Sequence, residues 1–109
     1  MVLYPEHLLM RDFVDIGAFT LIHAGYGVHL DYEVEIGSHC AIYSVSSIDG
    51  TEGLVNIGQR VRIGSHCTVM PGVAIGDDSV IGAHSFVTHD IPAKALATGV
   101  PAGIKRRYV

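Results

Sequence analysis

Residues 57–92 read IGQRVR IGSHCT VMPGVA IGDDSV IGAHSF VTHDIP, and the fold turns on how this stretch is understood. An aliphatic residue opens every group of six: Ile57, Ile63, Val69, Ile75, Ile81 and Val87. Glycine follows it at Gly58, Gly64, Gly76 and Gly82, and the fifth position holds Val61, Cys67, Val73, Ser79, Ser85 and Ile91, all small or aliphatic. A short fixed period predicts a solenoid. Six residues suit one flat side of a three-sided coil, with three short strands and about 18 residues per turn. The first and fifth residues of each unit then point inward, and glycine eases each corner. A single amphipathic helix would instead need apolar residues at spacings of three and four, and each recurrent glycine would cost it about 1 kcal/mol.

Upstream, the period starts at Ile16-Gly17, passes through Ile22 and Val28, and then slips by two, so that Leu30, Ile36, Ile42 and Ile48 carry the next register. The slip is expected as a bulge or corner excursion at Val28 to Asp31. Between Ile48 and Ile57 the period breaks again, and Asp49, Gly50, Thr51, Glu52 and Gly53 supply turn chemistry, so a loop is predicted over 49–56. Residues 1–15, with Tyr4-Pro5 and Leu8, Leu9 and Met10, predict an N-terminal cap over the open end of the coils, where strand edges and apolar interior need cover. The expected organisation is one domain over 1–109, with coils at 16–92 and a C-terminal tail at 93–109.

With 109 residues the chain is one small domain. It is 49% hydrophobic and only 17% charged, so apolar surface is left over on flat outer faces and oligomerisation is expected. A net charge of -4 argues against general nucleic-acid binding, with Lys105, Arg106 and Arg107 as a local basic exception. No apolar run approaches the ~18 residues of a membrane span, and Met1 to Asp12 lacks the layout of a signal peptide, so a cytoplasmic enzyme is expected. Cys40 and Cys67 both fall at the inward fifth position and read as core thiols. Neither has the Cys-x-x-Cys spacing of a redox or metal pair.

The stretch NIGQRVRIGSHCTVMPGVAIGDDSVIGAHSFVTHDIPAKALATGVPAGIKR, residues 56–106, resembles the C-terminal half of the galactoside and maltose O-acetyltransferases and of the nucleotide-sugar N-acetyltransferases, with a weaker likeness upstream to about Ile16. These are hexapeptide-repeat acyltransferases. The resemblance implies an all-β, left-handed parallel β-helix and a homotrimer with active sites between neighbouring subunits. It further implies acetyl-CoA or a related thioester as acyl donor, and an amino or hydroxyl group of a sugar or nucleotide-linked sugar as acceptor. The hand comes from the resemblance alone, since a generic β-crossover argument favours the right-handed form. The family's thioester ledge maps to Ser65, Ala83, Thr88 and Arg106, with His89 where the family has lysine and Gly103 where it has a tail arginine. Its acceptor-contacting positions map to Asp31 and to His23, the latter replacing an asparagine.

In the galactoside enzyme that this chain resembles, the loop corresponding to 49–56 is longer and carries the catalytic histidine, but no histidine occurs here between Ile48 and Ile57. For a hydroxyl acceptor, which needs a base near the working pH, His23 and His66 are the expected catalytic residues. An amine with some neutral fraction needs less help, so an amino-sugar acceptor is slightly favoured, held by Asp31 or Asp49. Two other readings remain open. His84 and His89 lie five apart, as in the γ-class carbonic anhydrases, with His66 one coil earlier. A catalytic zinc needs three converging ligands, however, and His39, His66 and His84 share the fourth position of their units and stand outward at corners, so no metal is expected. A catalytically silent trimeric scaffold is favoured by the missing loop histidine and opposed by the retained ledge.

Overall fold

The computed structural model describes residues 1–108, in which the six-residue period builds three sheets around one apolar column. The first face stacks Val2–Leu3, Leu21–His23, Ala41–Tyr43, Thr68–Val69 and Phe86–Val87 in parallel. The second stacks Leu8–Met10, Val28–Leu30, Val55–Ile57 and Ala74–Ile75, extended by a bridge from Ile75 to Ile91. The third stacks Asp15–Ile16, Glu35–Ile36, Arg62–Ile63, Val80–Ile81 and Ala95–Gly99, and Ala102–Arg107 closes it by running antiparallel to Ala95–Gly99. The protein is an all-β parallel solenoid.

Strands of two or three residues hold register because each inward side chain lies on its counterpart one turn away. Ile36, Ile63 and Ile81 form one such ladder, Ile42, Val69 and Val87 another, and Leu30, Ile57 and Ile75 a third. Rungs at the ~4.8 Å strand spacing suit branched side chains, whose restricted rotamers pack on a pleated surface. All nine are buried. The fifth positions also point inward, and one column of them is polar: Thr20, Cys40, Cys67 and Ser85. Its donors reach backbone carbonyls at the adjoining corner, Thr20 Oγ1 to Gly37 O at 2.9 Å, Cys40 Sγ to Gly64 O at 3.2 Å and Cys67 Sγ to Gly82 O at 3.0 Å. Both cysteines are free, and the Cys40 side chain together with burial holds the Cys67 thiol well above the ordinary thiol range.

The corners differ from the sequence-based expectation. Non-glycine residues at the fourth position make them: Phe19, Glu33, His39, Arg60, His66, Asp78, His84 and Lys94 all adopt φ between 55° and 62°. The glycines at the second position are needed for a different reason. A Cβ on Gly37 would lie 2.7 Å from Ser65 N, and one on Gly64 would lie 2.7 Å from Ala83 N, so the backbone of the next turn crosses directly over them.

Three further expectations are corrected. The two-residue slip lies not at Val28 to Asp31 but between Ile22 and Val28, in the turn His23–Gly27. Val28 and Leu30 are both buried as the fifth and first positions of successive units. Residues 1–15 are not a cap laid over the coils, because Val2–Leu3, Leu8–Met10 and Asp15–Ile16 pair in register with the second turn and so form the first one. Ile48 is not a repeat residue. It is 97% exposed, in the turn of a hairpin whose arms, Val45–Ser46 and Thr51–Glu52, begin upstream of the predicted loop. The short 3-10 turn Pro5–His7, the turn at His23–Gly27 and this hairpin all lengthen one edge, between the first and second faces. No helix long and apolar enough to cross a membrane occurs among the described residues.

Candidate active site

The edge that collects the insertions also collects many of the polar side chains. His23 ends the strand Leu21–His23, and its Nδ1 accepts the Gly25 N–H at 3.2 Å while its ring tilts against Tyr4 with centroids 5.4 Å apart. Ser44, fully buried, fixes this turn: its hydroxyl donates to His23 O at 2.7 Å and accepts the Tyr26 N–H at 3.0 Å. The hairpin rises from the same edge. Asp49 sits in its turn, where Oδ1 accepts from the Thr51 hydroxyl at 2.7 Å and the Thr51 N–H at 3.1 Å, bonds that hold the carboxyl below its usual range. Further along this edge Thr88 Oγ1 lies 2.8 Å from His89 Nδ1. His23, Tyr43, Met70 and Thr88 each follow an inward residue of the first-face ladder, so they form a column, and ~4.8 Å per strand puts His23 and Thr88 about 14 Å apart.

The opposite edge of the first face carries Ser65, His66 and Ala83. Ser65 O accepts the His84 N–H and Ser38 O accepts the His66 N–H, both at 3.0 Å, which ties successive corners together. The imidazoles of His39, His66 and His84 stack with centroids 4.8 Å apart, and Phe19 packs on His39 at 5.0 Å. The four residues thus form one exposed ladder. Asp31 lies at the third edge, where Oδ1 accepts the Tyr32 N–H at 2.8 Å, in a groove of about 480 Å³ shared with Asn56, Asp77 and Asp90. Arg106 is exposed on the third face, in register with Leu96.

The sequence-derived candidates therefore fall into separate groups within one chain. Ser65, His66 and Ala83 share one edge; His23, Asp49, Thr88 and His89 share the next; Asp31 and Arg106 lie on neither. His84 and His89 stand on opposite edges of the first face, and among the described residues no three His, Cys, Asp or Glu side chains converge as a metal site requires.

Sequence reasoning missed Ser44, whose position inside the interrupted register concealed its burial. It also missed the groove of about 530 Å³ beside the His23 edge, lined by His7, Leu9, Tyr26, His29 and Leu54. His7 fell in the segment expected as a cap, and His29 in the expected slip; their signal was two histidines at irregular positions near the aromatic Tyr26.

Residues 55–89 match the family described as bacterial transferase hexapeptide (six repeats). The galactoside O-acetyltransferase of Escherichia coli K12 is 56% identical over 52 residues, 48% of this chain and 26% of that protein. A hexapeptide-repeat-containing acetyltransferase from Vibrio cholerae, solved with acetyl coenzyme A, superposes with a TM-score of 0.88 at 26% identity, covering 97% of this chain and 63% of that one. Residues 55–89 thus carry the repeat of the hexapeptide transferases, and the chain has the fold of acetyltransferases built from it. A galactoside acetyltransferase solved with coenzyme A matches with a TM-score of 0.69 and 30% identity over 92% of this chain and 58% of its own. The chain thus aligns with about a quarter of the curated relative and about three-fifths of the solved ones.

Proposed function

We propose that the protein transfers an acyl group, acetyl in the first instance, from a coenzyme A thioester to an amino or hydroxyl group of a sugar or nucleotide-linked sugar. The observation that carries this reading is the 56% identity to a galactoside O-acetyltransferase over half of the chain, on a fold shared with an acetyl coenzyme A complex. The small side chains of Ser65 and Ala83 leave backbone amides and carbonyls accessible to the pantetheine arm, Thr88 and His89 bound the far side of the same face, and Arg106 takes phosphate. Arginine's planar fork suits phosphate oxygens. His23 and Asp31 lie at the two borders of the second face and contact the acceptor, with Asp49 reaching from the hairpin. Because the ledge occupies two edges of one face, a neighbouring copy of the chain completes it, and the assembly is a homotrimer of closed symmetry. The location is cytoplasmic.

Thermal shift tests donor binding, since a ligand that binds only the folded state stabilises it. Millimolar acetyl-CoA is expected to raise the melting temperature, and thiol release in the presence of glucosamine or methyl galactoside to report transfer. No shift and no thiol release would leave only a scaffold. Light scattering is expected to give a trimer; a stable, active monomer would contradict the shared site. Arg106→Ala is expected to raise KM for acetyl-CoA about tenfold and to leave dephospho-CoA thioesters nearly unaffected, since a hydrogen bond to a charged group contributes ~1.5 to 3 kcal/mol. Equal effects on both donors would remove Arg106 from the phosphate.

A further inference from the structure

We propose that His7 is the catalytic base of this acyl transfer, and that one glycine, Gly25, holds His7 and His23 in opposite tautomers, His7 as proton acceptor and His23 as hydrogen donor. The inference rests on the acyltransferase reading but is separable from it.

His7 ends the 3-10 turn Pro5–His7 on the edge lengthened by insertions. Its Nδ1 lies 3.1 Å from Gly25 O. A carbonyl oxygen can only accept, so Nδ1 carries the hydrogen, and in the neutral ring the lone pair is left on Nε2. His23 is held by the other half of the same residue: its Nδ1 lies 3.2 Å from Gly25 N. A backbone N–H can only donate, so Nδ1 of His23 supplies the lone pair and its neutral ring carries the hydrogen on Nε2. His23 therefore presents a donor, with its only free lone pair already occupied.

The arrangement requires glycine. A Cβ at residue 25 would lie 2.8 Å from His23 Cε1 and 3.2 Å from His23 Nδ1, so the imidazole rests directly on the glycine. Buried Ser44 bonds to His23 O and to Tyr26 N, the residues flanking this turn, and keeps both Gly25 groups pointing as they do. His7 is exposed and lines the groove of about 530 Å³ with Tyr26, His29, Leu9 and Leu54. That volume falls within the usual range of small-molecule sites. A pyranose fits such a trough, with an apolar wall for its carbon face and imidazole nitrogens for its hydroxyls. His29 makes no side-chain hydrogen bond among the described residues that would fix its tautomer, and His66 stands on the other edge between two stacked imidazoles.

In the transfer, the acceptor oxygen or nitrogen attacks the thioester carbonyl carbon, forming the new ester or amide bond. The acceptor proton passes to His7 Nε2. Collapse of the tetrahedral intermediate breaks the carbon–sulfur bond, and the proton on Nε2 is passed to the departing thiolate, giving the coenzyme A thiol and a neutral imidazole. The Nε2–H of His23 donates to an acceptor oxygen and so orients it.

Two measurements decide the proposal. Two-bond proton–nitrogen spectra of the histidine-labelled protein are expected to show hydrogen on Nδ1 of His7 and on Nε2 of His23, with H7Q and H23Q supplying the assignments. In kinetics with acetyl-CoA and glucosamine or methyl galactoside, H7A is expected to lower kcat by about 10²- to 10⁴-fold at nearly unchanged KM for acetyl-CoA, with circular dichroism confirming the fold; H23A is expected to act mainly on KM for the sugar. Reversed or rapidly averaging tautomers would overturn the proposal, and so would an H7A enzyme within fivefold of wild type. If the wild-type chain transferred to neither sugar while the tautomers stood as expected, the base assignment would fall together with the acyltransferase reading; transfer by wild type that survives H7A overturns the base assignment alone.

Discussion

Gly64→Val is expected to abolish the stable fold. The new Cβ would lie 2.7 Å from Ala83 N and 2.9 Å from Ala83 Cα, both backbone atoms of the neighbouring turn. That backbone has no room to yield, because Gly64 N–H donates to Ile81 O at 2.8 Å and His84 N–H donates to Ser65 O at 3.0 Å across the same gap. Opening the gap breaks several ladder hydrogen bonds, each contributing about 0.5 to 1.5 kcal/mol, and separates the aliphatic rungs above and below. With the apolar contacts of those rungs lost as well, the total becomes comparable to the whole stability of a small domain, about 5 to 15 kcal/mol. Gly103→Ala is the matched control, since a Cβ there meets nothing within 4 Å. Expression and circular dichroism are expected to show Gly64→Val unfolded and Gly103→Ala like wild type.

Ile75→Ala is expected to cost about 2 to 5 kcal/mol in urea unfolding, the transfer and cavity cost of truncating a buried isoleucine. Ile75 is 2% exposed and is stacked between Ile57 and Ile91 on adjoining turns. Turns on both sides hold the backbone in place, so the void has little opportunity to collapse. Ile48→Ala, at an aliphatic in the same nominal six-residue series, is expected to cost less than about 0.5 kcal/mol because the side chain is already in solvent. A cost below 0.5 kcal/mol for Ile75→Ala would contradict its inward placement.

The contrast between these two isoleucines shows what the sequence could reveal. From Ile57 to Val87 the period runs without interruption, so a single register assigns the inward residues and the chain obeys it. At Ile91, expected in a fifth position, the chain is two residues short of the period and the side chain pairs with the first-position Ile75. Upstream, each turn has extra residues at one edge, and aliphatics at the first and fifth positions cannot be distinguished by spacing once the frame is lost. Spacing alone therefore makes Val28 a first-position residue when it occupies a fifth, and makes Ile48 a rung although it lies in the turn of the hairpin. At the corners the recurrent glycines suggest positive φ, whereas His39, Arg60, His66 and Asp78 bear it and the glycines answer to the crossing turn. Of the candidate site, the edge holding Ser65 and Ala83 was legible because it falls in the regular coils. The edge holding His7, His23 and Ser44 was not, because its geometry depends on backbone groups of one turn, Gly25 above all, that leave no periodic trace.

Hydrogen exchange with and without acetyl-CoA tests most directly whether the first face and its edges form the donor site. Protection by a bound ligand is expected at the amides of 64–67, 82–85 and 88–90, the two edges of the first face, and at 104–107 in the last strand, with further protection of the groove beside His7 and Tyr26 when a sugar is added. Unchanged exchange throughout, or protection confined to the second face, would contradict the account.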